Sequence, residues 1–314
     1  MQRNLITIAD LTTDEILVFF RETKHFKKLR ETELRKYRTR LRGRRLLLLF
    51  LEPSTRTRVS FQVAGKNLGM DVVTVTASES SVVKGESLVD CALTFSALGF
   101  HVAVLRHSEL NATKTFASYF DGSVINGGEG TNSHPTQALL DAFTLWERGL
   151  LHSDLRVGIC GDIGMSRVAR CNARLLNRFG VVPYFIAPPE LLPSFMHRNG
   201  EIVDVPGEAG FQAQIAYSLD DVIKSLDVLM MLRMQRERRE GGAKVPIEAF
   251  IQNFQLNPAR LQKLPPSSLI MHPGPVNRGV EVTDQVFADP RCAISEQVQN
   301  GVLMRMSLLG HLLK

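Results

Sequence analysis

Cysteine, tryptophan and tyrosine are scarce in this chain of 314 residues, with four, one and four of each. Cys91, Cys160, Cys171 and Cys292 form no CxxC pair, and no histidine pair near them has zinc-ligand spacing. That argues against a disulfide framework or a zinc site, and for reduced, buried thiols in a cytoplasmic protein. No run approaches the roughly 18 apolar residues of a membrane span. The start, Met1 to Ile6, lacks an apolar core with a small-residue cleavage site, so a soluble, unsecreted protein is expected. Internal repeats and low-complexity linkers are missing too.

At 44% hydrophobic and 22% charged, the composition is that of a globular protein, and the length suggests two domains of about 150 residues. The formal charge of +6 would suit nucleic acid, but its distribution does not. Residues 21–45 carry twelve Lys/Arg against three Glu, a local excess of nine that leaves the rest at −3. With no interleaved series of stacking aromatics, this run reads as a solvated helical face; neither nucleic acid nor membrane is an expected partner.

Strand and helix patterns alternate along the chain. Leu46 to Leu49 reads as a buried strand, Val59 to Leu68 as a helix, and Met70 to Thr76 as a strand. The polar segment Ser78 to Glu86 reads as a loop. A helix over Leu88 to Leu98, a strand His101 to Arg106, a helix Ala112 to Tyr119 and a strand Ser123 to Asn126 follow. Gly127-Gly128-Glu129-Gly130 reads as a turn, and a long helix runs from Pro135 towards Gly149. The alternation then restarts with strands at Leu155 to Cys160, Val182 to Ala187, Val228 to Leu232 and Leu269 to Met271, and the tail from Glu296 to Leu313 reads as an amphipathic helix. The expected fold is α/β, two doubly wound parallel-sheet domains, 1–149 and 150–292, with the active site in the cleft between them. The final helix, about 293–314, is expected to pack back on the first domain.

Ser54-Thr55-Arg56-Thr57-Arg58 lies between a strand and a helix. Pro53 disfavours helix in Glu52, and Ser54 or Thr55 can cap the helix that follows. Outward backbone N–H groups, the positive helix end and guanidinium groups suit a phosphate dianion, although such a cap also occurs on helices that bind nothing. Arg106 and His134 stand just beyond other strand ends, where ligands collect in parallel sheets. In the second half, Arg167, Arg233 and Gln235 occupy similar positions, and two separated arginines suit a ligand with two carboxylates. Gly158, Gly161 and Gly164 miss the GxGxxG spacing, and no acidic residue ends the next strand, so they read as a tight turn rather than a nucleotide site. No serine, cysteine or lysine has an evident base beside it. Chemistry here would rest on orientation and electrostatic stabilisation, without metal or cofactor.

Five ordered motifs carry a resemblance: Ser54 to Arg58, Val83-Lys84-Gly85-Glu86, His134-Pro135-Thr136-Gln137, Arg233-Met234-Gln235-Arg236-Glu237-Arg238, and His272-Pro273-Gly274-Pro275-Val276-Asn277-Arg278-Gly279. Together they resemble the catalytic chains of aspartate carbamoyltransferases, in the aspartate/ornithine carbamoyltransferase family. The resemblance implies transfer of a carbamoyl group from carbamoyl phosphate to L-aspartate, an early step of pyrimidine synthesis. It implies that Ser54, Thr55, Arg56 and Thr57 hold the phosphate, and that Thr57, Arg106 and His134 polarise the carbonyl. Gln137 and the turn at Pro273, Gly274 and Pro275 would hold the carbamoyl amine. Arg167, Arg233 and Gln235 would hold aspartate, while Ser80 and Lys84 would reach in from the neighbouring subunit of a homotrimer. Glu52 with Arg167 and Arg238 would latch a closed form. Association with regulatory chains or dihydroorotase is left open. Gly127 to Gly130 and Gln62 depart from the family pattern beside these contacts. Transfer to another amino acid, a non-catalytic scaffold and nucleic-acid binding through residues 21–45 are the competing readings.

Overall fold

The computed structural model describes residues 4–79, 85–193, 203–204, 210–235 and 245–313. In chain order the elements are α1 (Thr13–Lys28), α2 (Glu31–Leu34), β1 (Arg45–Phe50), α3 (Thr55–Asn67), β2 (Asp71–Thr76), α4 (Leu88–Ala97), β3 (Val102–His107), α5 (Ala112–Ala117), β4 (Ser123–Glu129) and α6 (Pro135–Glu147). There follow β5 (Val157–Cys160), α7 (Arg167–Asn177), β6 (Tyr184–Ile186), β7 (Val203–Asp204), β8 (Gln212–Ala216), α8 (Leu219–Val222) and β9 (Val228–Met231). The chain closes with α9 (Ile247–Phe254), α10 (Pro258–Lys263), β10 (Leu269–Met271), α11 (Gln285–Ala288) and α12 (Ile294–Leu312). Two compact units result, Met1–Phe143 with Val298–Lys314, and Thr144–Gln297; the chain passes between them within α6 and within α12.

The first unit holds a four-stranded parallel sheet in the order β2-β1-β3-β4. Leu46 to Leu49 of β1 are fully buried, each leucine contributing about 1.5–3 kcal/mol. Period-2 alternation divides them between two faces. Leu47 and Leu49 join Ala103, Leu105 and Val124 in a core with Cys91 and Ala92 of α4 and Phe116 of α5. Leu46 points the other way, where a Cβ on Gly65 of α3 would come within 2.8 Å of it, so α3 covers the opposite face. At the start of α1, Thr12 caps the helix: its hydroxyl accepts from Glu15 N and the Glu15 carboxylate accepts from Thr12 N. Ile16, Phe19 and Phe20 are buried, and Leu17 is half-buried.

The second unit holds a six-stranded sheet, β10-β9-β5-β6-β8-β7, parallel except for the short antiparallel edge strand β7. Its core gathers Val157, Ile159, Phe185, Leu229 and Phe250 among others. Among the described residues, no helix is long and apolar enough to cross a membrane.

Three expectations change. Gly127 and Gly128 do not turn: β4 continues through them to Glu129, because small residues fit where a Cβ on Gly127 would crowd Val104 at 3.0 Å. The end of α12 is not amphipathic, since Met304, Arg305, Met306, Ser307, Leu308 and Leu309 are all buried and the helix is wrapped by its unit. The strand β8 and the short helices α8, α10 and α11 escaped the periodicity reading because each spans at most two turns or five residues.

One ionic cluster ties α8 to α10. Arg260 donates twice to Asp220 Oδ2, at 3.1 and 2.7 Å, and Lys263 donates to Oδ1 at 2.7 Å. These hydrogen bonds hold the Asp220 carboxyl down to about 2. A lowered carboxyl stabilises the fold above its unfolded value and loses that contribution as pH falls through the folded value. Asp220→Asn is therefore expected to lower stability by about 1 kcal/mol or less at pH 7, the pair being partly solvated. Urea midpoints should show the difference shrinking from pH 5 towards pH 3.

Candidate active site

In both sheets the strand order reverses once, between β1 and β3 in the first and between β5 and β9 in the second. Crossovers leave such a pair of strands on opposite faces, opening a crevice beyond their carboxyl ends. Arg106, expected just beyond a strand end, lies within β3, and the other described residues singled out for chemistry follow one of these strands or a neighbour.

In the first unit, Ser54 occupies the N-cap of α3 with extended φ −161°, yet its side chain makes no capping hydrogen bond. The Ser54 side chain therefore caps none of the first-turn N–H groups, and the positive end of a helix is where an anion is favoured. Thr55 and Arg56 are exposed, Arg58 and Gln62 half-buried, and Thr57 buried. Thr57 Oγ1 lies 3.3 Å from His134 Nε2, the direction of that bond depending on the imidazole tautomer. His134 is itself buried, and its carbonyl accepts from Gln137 N at 3.0 Å, opening α6. Arg106, paired in register with Phe50 across β1 and β3, is buried at the same sheet end. Its Nη1 donates to Gly127 O at 3.1 Å and its Nη2 to Glu52 Oε1 at 2.9 Å, which fixes the guanidinium plane. The expected latch thus finds Glu52 engaged by Arg106, while Arg238 lies outside the described residues.

Behind these groups runs a polar layer that the sequence did not announce. Gln137 Nε2 donates to Asp141 Oδ1 at 2.9 Å, and Arg305 of α12 donates to Ser60 Oγ at 2.8 Å. Burial pushes the Arg305 guanidinium down to about 10, with the Asp141 charge opposing that shift. The spacing of Gln137 and Asp141, four apart on one helix, was the available signal. Glu129, part of the departing glycine segment, is buried and accepts from Asn111 N at 2.7 Å and Thr113 N at 2.8 Å, capping α5.

In the second unit, Gly161 has φ 137°, and a Cβ there would meet Leu232 O at 2.5 Å, so only glycine lets β5 end so close to β9. The turn after it delivers Ser166, which caps α7 by accepting from Ala169 N at 3.2 Å, and Arg167, buried at the first helical position. Arg233 and Gln235 are half-buried with Met234 buried between them. Gln235 Nε2 donates to Met165 O at 3.0 Å, and Asp162, fully buried, accepts from Gln235 N at 3.2 Å. These bonds join the β9 end to the loop before Arg167. After β10, His272 Nδ1 accepts from Gly274 N at 2.8 Å, and Nε2 lies 3.3 Å from Glu281 Oε1. With Nδ1 accepting, a neutral imidazole carries its proton on Nε2, facing the buried Glu281. The bond to Gly274 N shapes the turn whose Gly274–Pro275 peptide is cis. Ser80 and Lys84 lie outside the described residues. Among the described residues, no group of three His, Cys, Asp or Glu could hold a metal ion.

Residues 3–147 match the aspartate/ornithine carbamoyltransferase carbamoyl-P binding domain, and residues 153–312 match the Asp/Orn binding domain of the same proteins. The chain belongs to the aspartate/ornithine carbamoyltransferase family. It is 43% identical over 314 residues to the aspartate carbamoyltransferase catalytic subunit of Acidothermus cellulolyticus, covering 100% of this chain and 93% of the relative. It is 41% identical to that of Salinispora tropica, covering 100% and 98%. Among solved structures, the catalytic subunit of M. jannaschii aspartate transcarbamoylase is similar with TM-score 0.82, 31% identity and coverage of 99% and 98%. The Trypanosoma cruzi aspartate transcarbamoylase in complex with carbamoyl phosphate and aspartate is similar with TM-score 0.85, 26% identity and coverage of 98% and 96%.

Proposed function

We propose that this chain transfers the carbamoyl group of carbamoyl phosphate to the amine of L-aspartate, releasing N-carbamoyl-L-aspartate and phosphate in pyrimidine biosynthesis. The observation that carries the reading is the likeness to aspartate carbamoyltransferase catalytic subunits at 41–43% identity across the whole chain. Arg233 and Gln235 beyond the β9 end, near the loop that delivers Arg167, suit an acceptor with two carboxylates.

The chemistry needs no covalent intermediate. The aspartate amine attacks the carbamoyl carbon, the carbonyl oxygen takes up negative charge, and the bond to phosphate breaks with its electron pair leaving on phosphate, which also takes the proton the amine gives up. Charge therefore grows at two places, the oxyanion and the leaving phosphate. The first turn of α3, with Ser54, Thr55, Arg56 and Thr57, holds the phosphate through N–H groups and hydroxyls already oriented before binding. Thr57, Arg106 and His134 face the carbonyl oxygen and stabilise its charge more strongly as it becomes an oxyanion. Gln137 and the Pro273–Gly274–Pro275 turn hold the carbamoyl amine, and Arg167, Arg233 and Gln235 hold aspartate. Residues 1–149 serve the first substrate and residues 150–292 the second.

The protein works as a homotrimer in which Ser80 and Lys84 serve a neighbouring subunit's site. Supporting this, β2 is an edge strand, it leads into residues 80–84, and Val73 on it and Val59 and Val63 on α3 are exposed. A head-to-tail contact that closes on itself makes a ring.

Purified protein given carbamoyl phosphate with aspartate, ornithine or acetylornithine is expected to release phosphate with aspartate; preference for a cationic acceptor would overturn the assignment. Arg56→Ala should lower kcat about a hundredfold or more, as loss of a charge-assisted donor to a developing anion does. Arg233→Ala should instead raise the KM for aspartate about tenfold or more while leaving carbamoyl phosphate binding in place. Mixing Lys84→Ala chains with Arg56→Ala chains should recover activity, and its absence in verified mixed trimers would argue for sites built within one chain.

A further inference from the structure

The two ends of a primary amide are alike in shape and opposite in hydrogen-bonding sense, so the end facing a ligand decides what the ligand must offer. Gln137 sits in the first turn of α6 and Asp141 one turn further along the same face. Gln137 Nε2 donates to Asp141 Oδ1 at 2.9 Å, and Asp141 is wholly enclosed, with 0% of its surface exposed. A carboxylate only accepts, so this contact selects the nitrogen end of the amide. The flipped amide would set two acceptors against each other with no water to separate them. The positive charge of buried Arg305, itself fixed by Ser60 of α3, balances the carboxylate from below.

We propose that Asp141 is a positioning residue that holds the Gln137 amide with Oε1 outward, so that the subsite requires a hydrogen-bond donor on the acyl group of the phosphate substrate. A carbamoyl group supplies that donor through its NH2. An acyl phosphate with a methyl group in the same place does not, and it leaves the Gln137 oxygen desolvated without a partner. Asp141 thereby sets specificity without touching substrate. The inference rests on the role given to Gln137 above.

Calorimetry on the full chain with freshly dissolved carbamoyl phosphate, acetyl phosphate and inorganic phosphate tests both separately. Wild type should prefer carbamoyl to acetyl phosphate. Asp141→Asn, whose side chain can offer either end to Gln137, should lose about tenfold or more of that preference while binding inorganic phosphate as wild type does. Gln137→Ala should lose it as well. If Gln137→Ala keeps the preference, the reading of Gln137 fails and the inference with it. If Gln137→Ala loses it and Asp141→Asn keeps it, Gln137 stands and the inference is overturned. An equal loss for all three ligands in Asp141→Asn would also overturn it, unless Asp141→Ser, smaller and free of steric conflict, binds phosphate normally and shows the loss of preference.

Discussion

The reversal of strand order in each parallel sheet is the constraint on which the rest depends. A right-handed crossover can place its helix on only one face, so a sheet covered on both faces must reverse direction somewhere. At that point two loops part and leave backbone N–H groups and strand-end side chains facing an open crevice. β1 with β3, and β5 with β9, are those points here, and they dictate where Ser54 to Thr57, Arg106, the Arg167 turn and Arg233 can stand. Within each unit, polar residues at the ends of such apolar strands need no further means of gathering; the topology gathers them.

Holding them still is a separate problem, solved by buried acceptors and donors. Glu52 and Gly127 O fix Arg106, and Asp162 fixes the backbone at Gln235. His272 fixes Gly274. Each supporting group is at least half-buried, where an unmade hydrogen bond is costly, and that cost gives the arrangement its rigidity. The helix end at Ser54 differs, since its donors are oriented by the fold but not satisfied by the Ser54 side chain. Oriented donors at a helix end, set among fixed side chains, are the arrangement that favours negative charge.

The sequence made much of this legible, and the reasons are specific. Leu46 to Leu49 and Val228 to Leu232 are apolar runs of strand length that end in charged or polar residues, so both the strand and the rim could be read together. Gly127 to Glu129 misled because glycine signals a turn on average, whereas here it signals close packing within a strand. Asp141, Asp162, Arg305 and Glu281 were invisible as partners because their meaning depends on what tertiary packing brings beside them. Arg305 is the plainest case: its contacts on α3 and α6 lie 245 and 169 residues away in sequence.

The membership of α12 in the first unit has a consequence for how the molecule is made. That unit consists of the first 143 residues and the last seventeen, and the buried Met304, Met306, Leu308 and Leu309 fill part of its interior. During synthesis the opening half of the chain emerges long before the helix that completes it. Until α12 has been made, α1 and α3 lack their packing against it and Ser60 lacks its guanidinium partner. The second unit, continuous in sequence, has no such wait, so the part of the protein translated first is the part finished last.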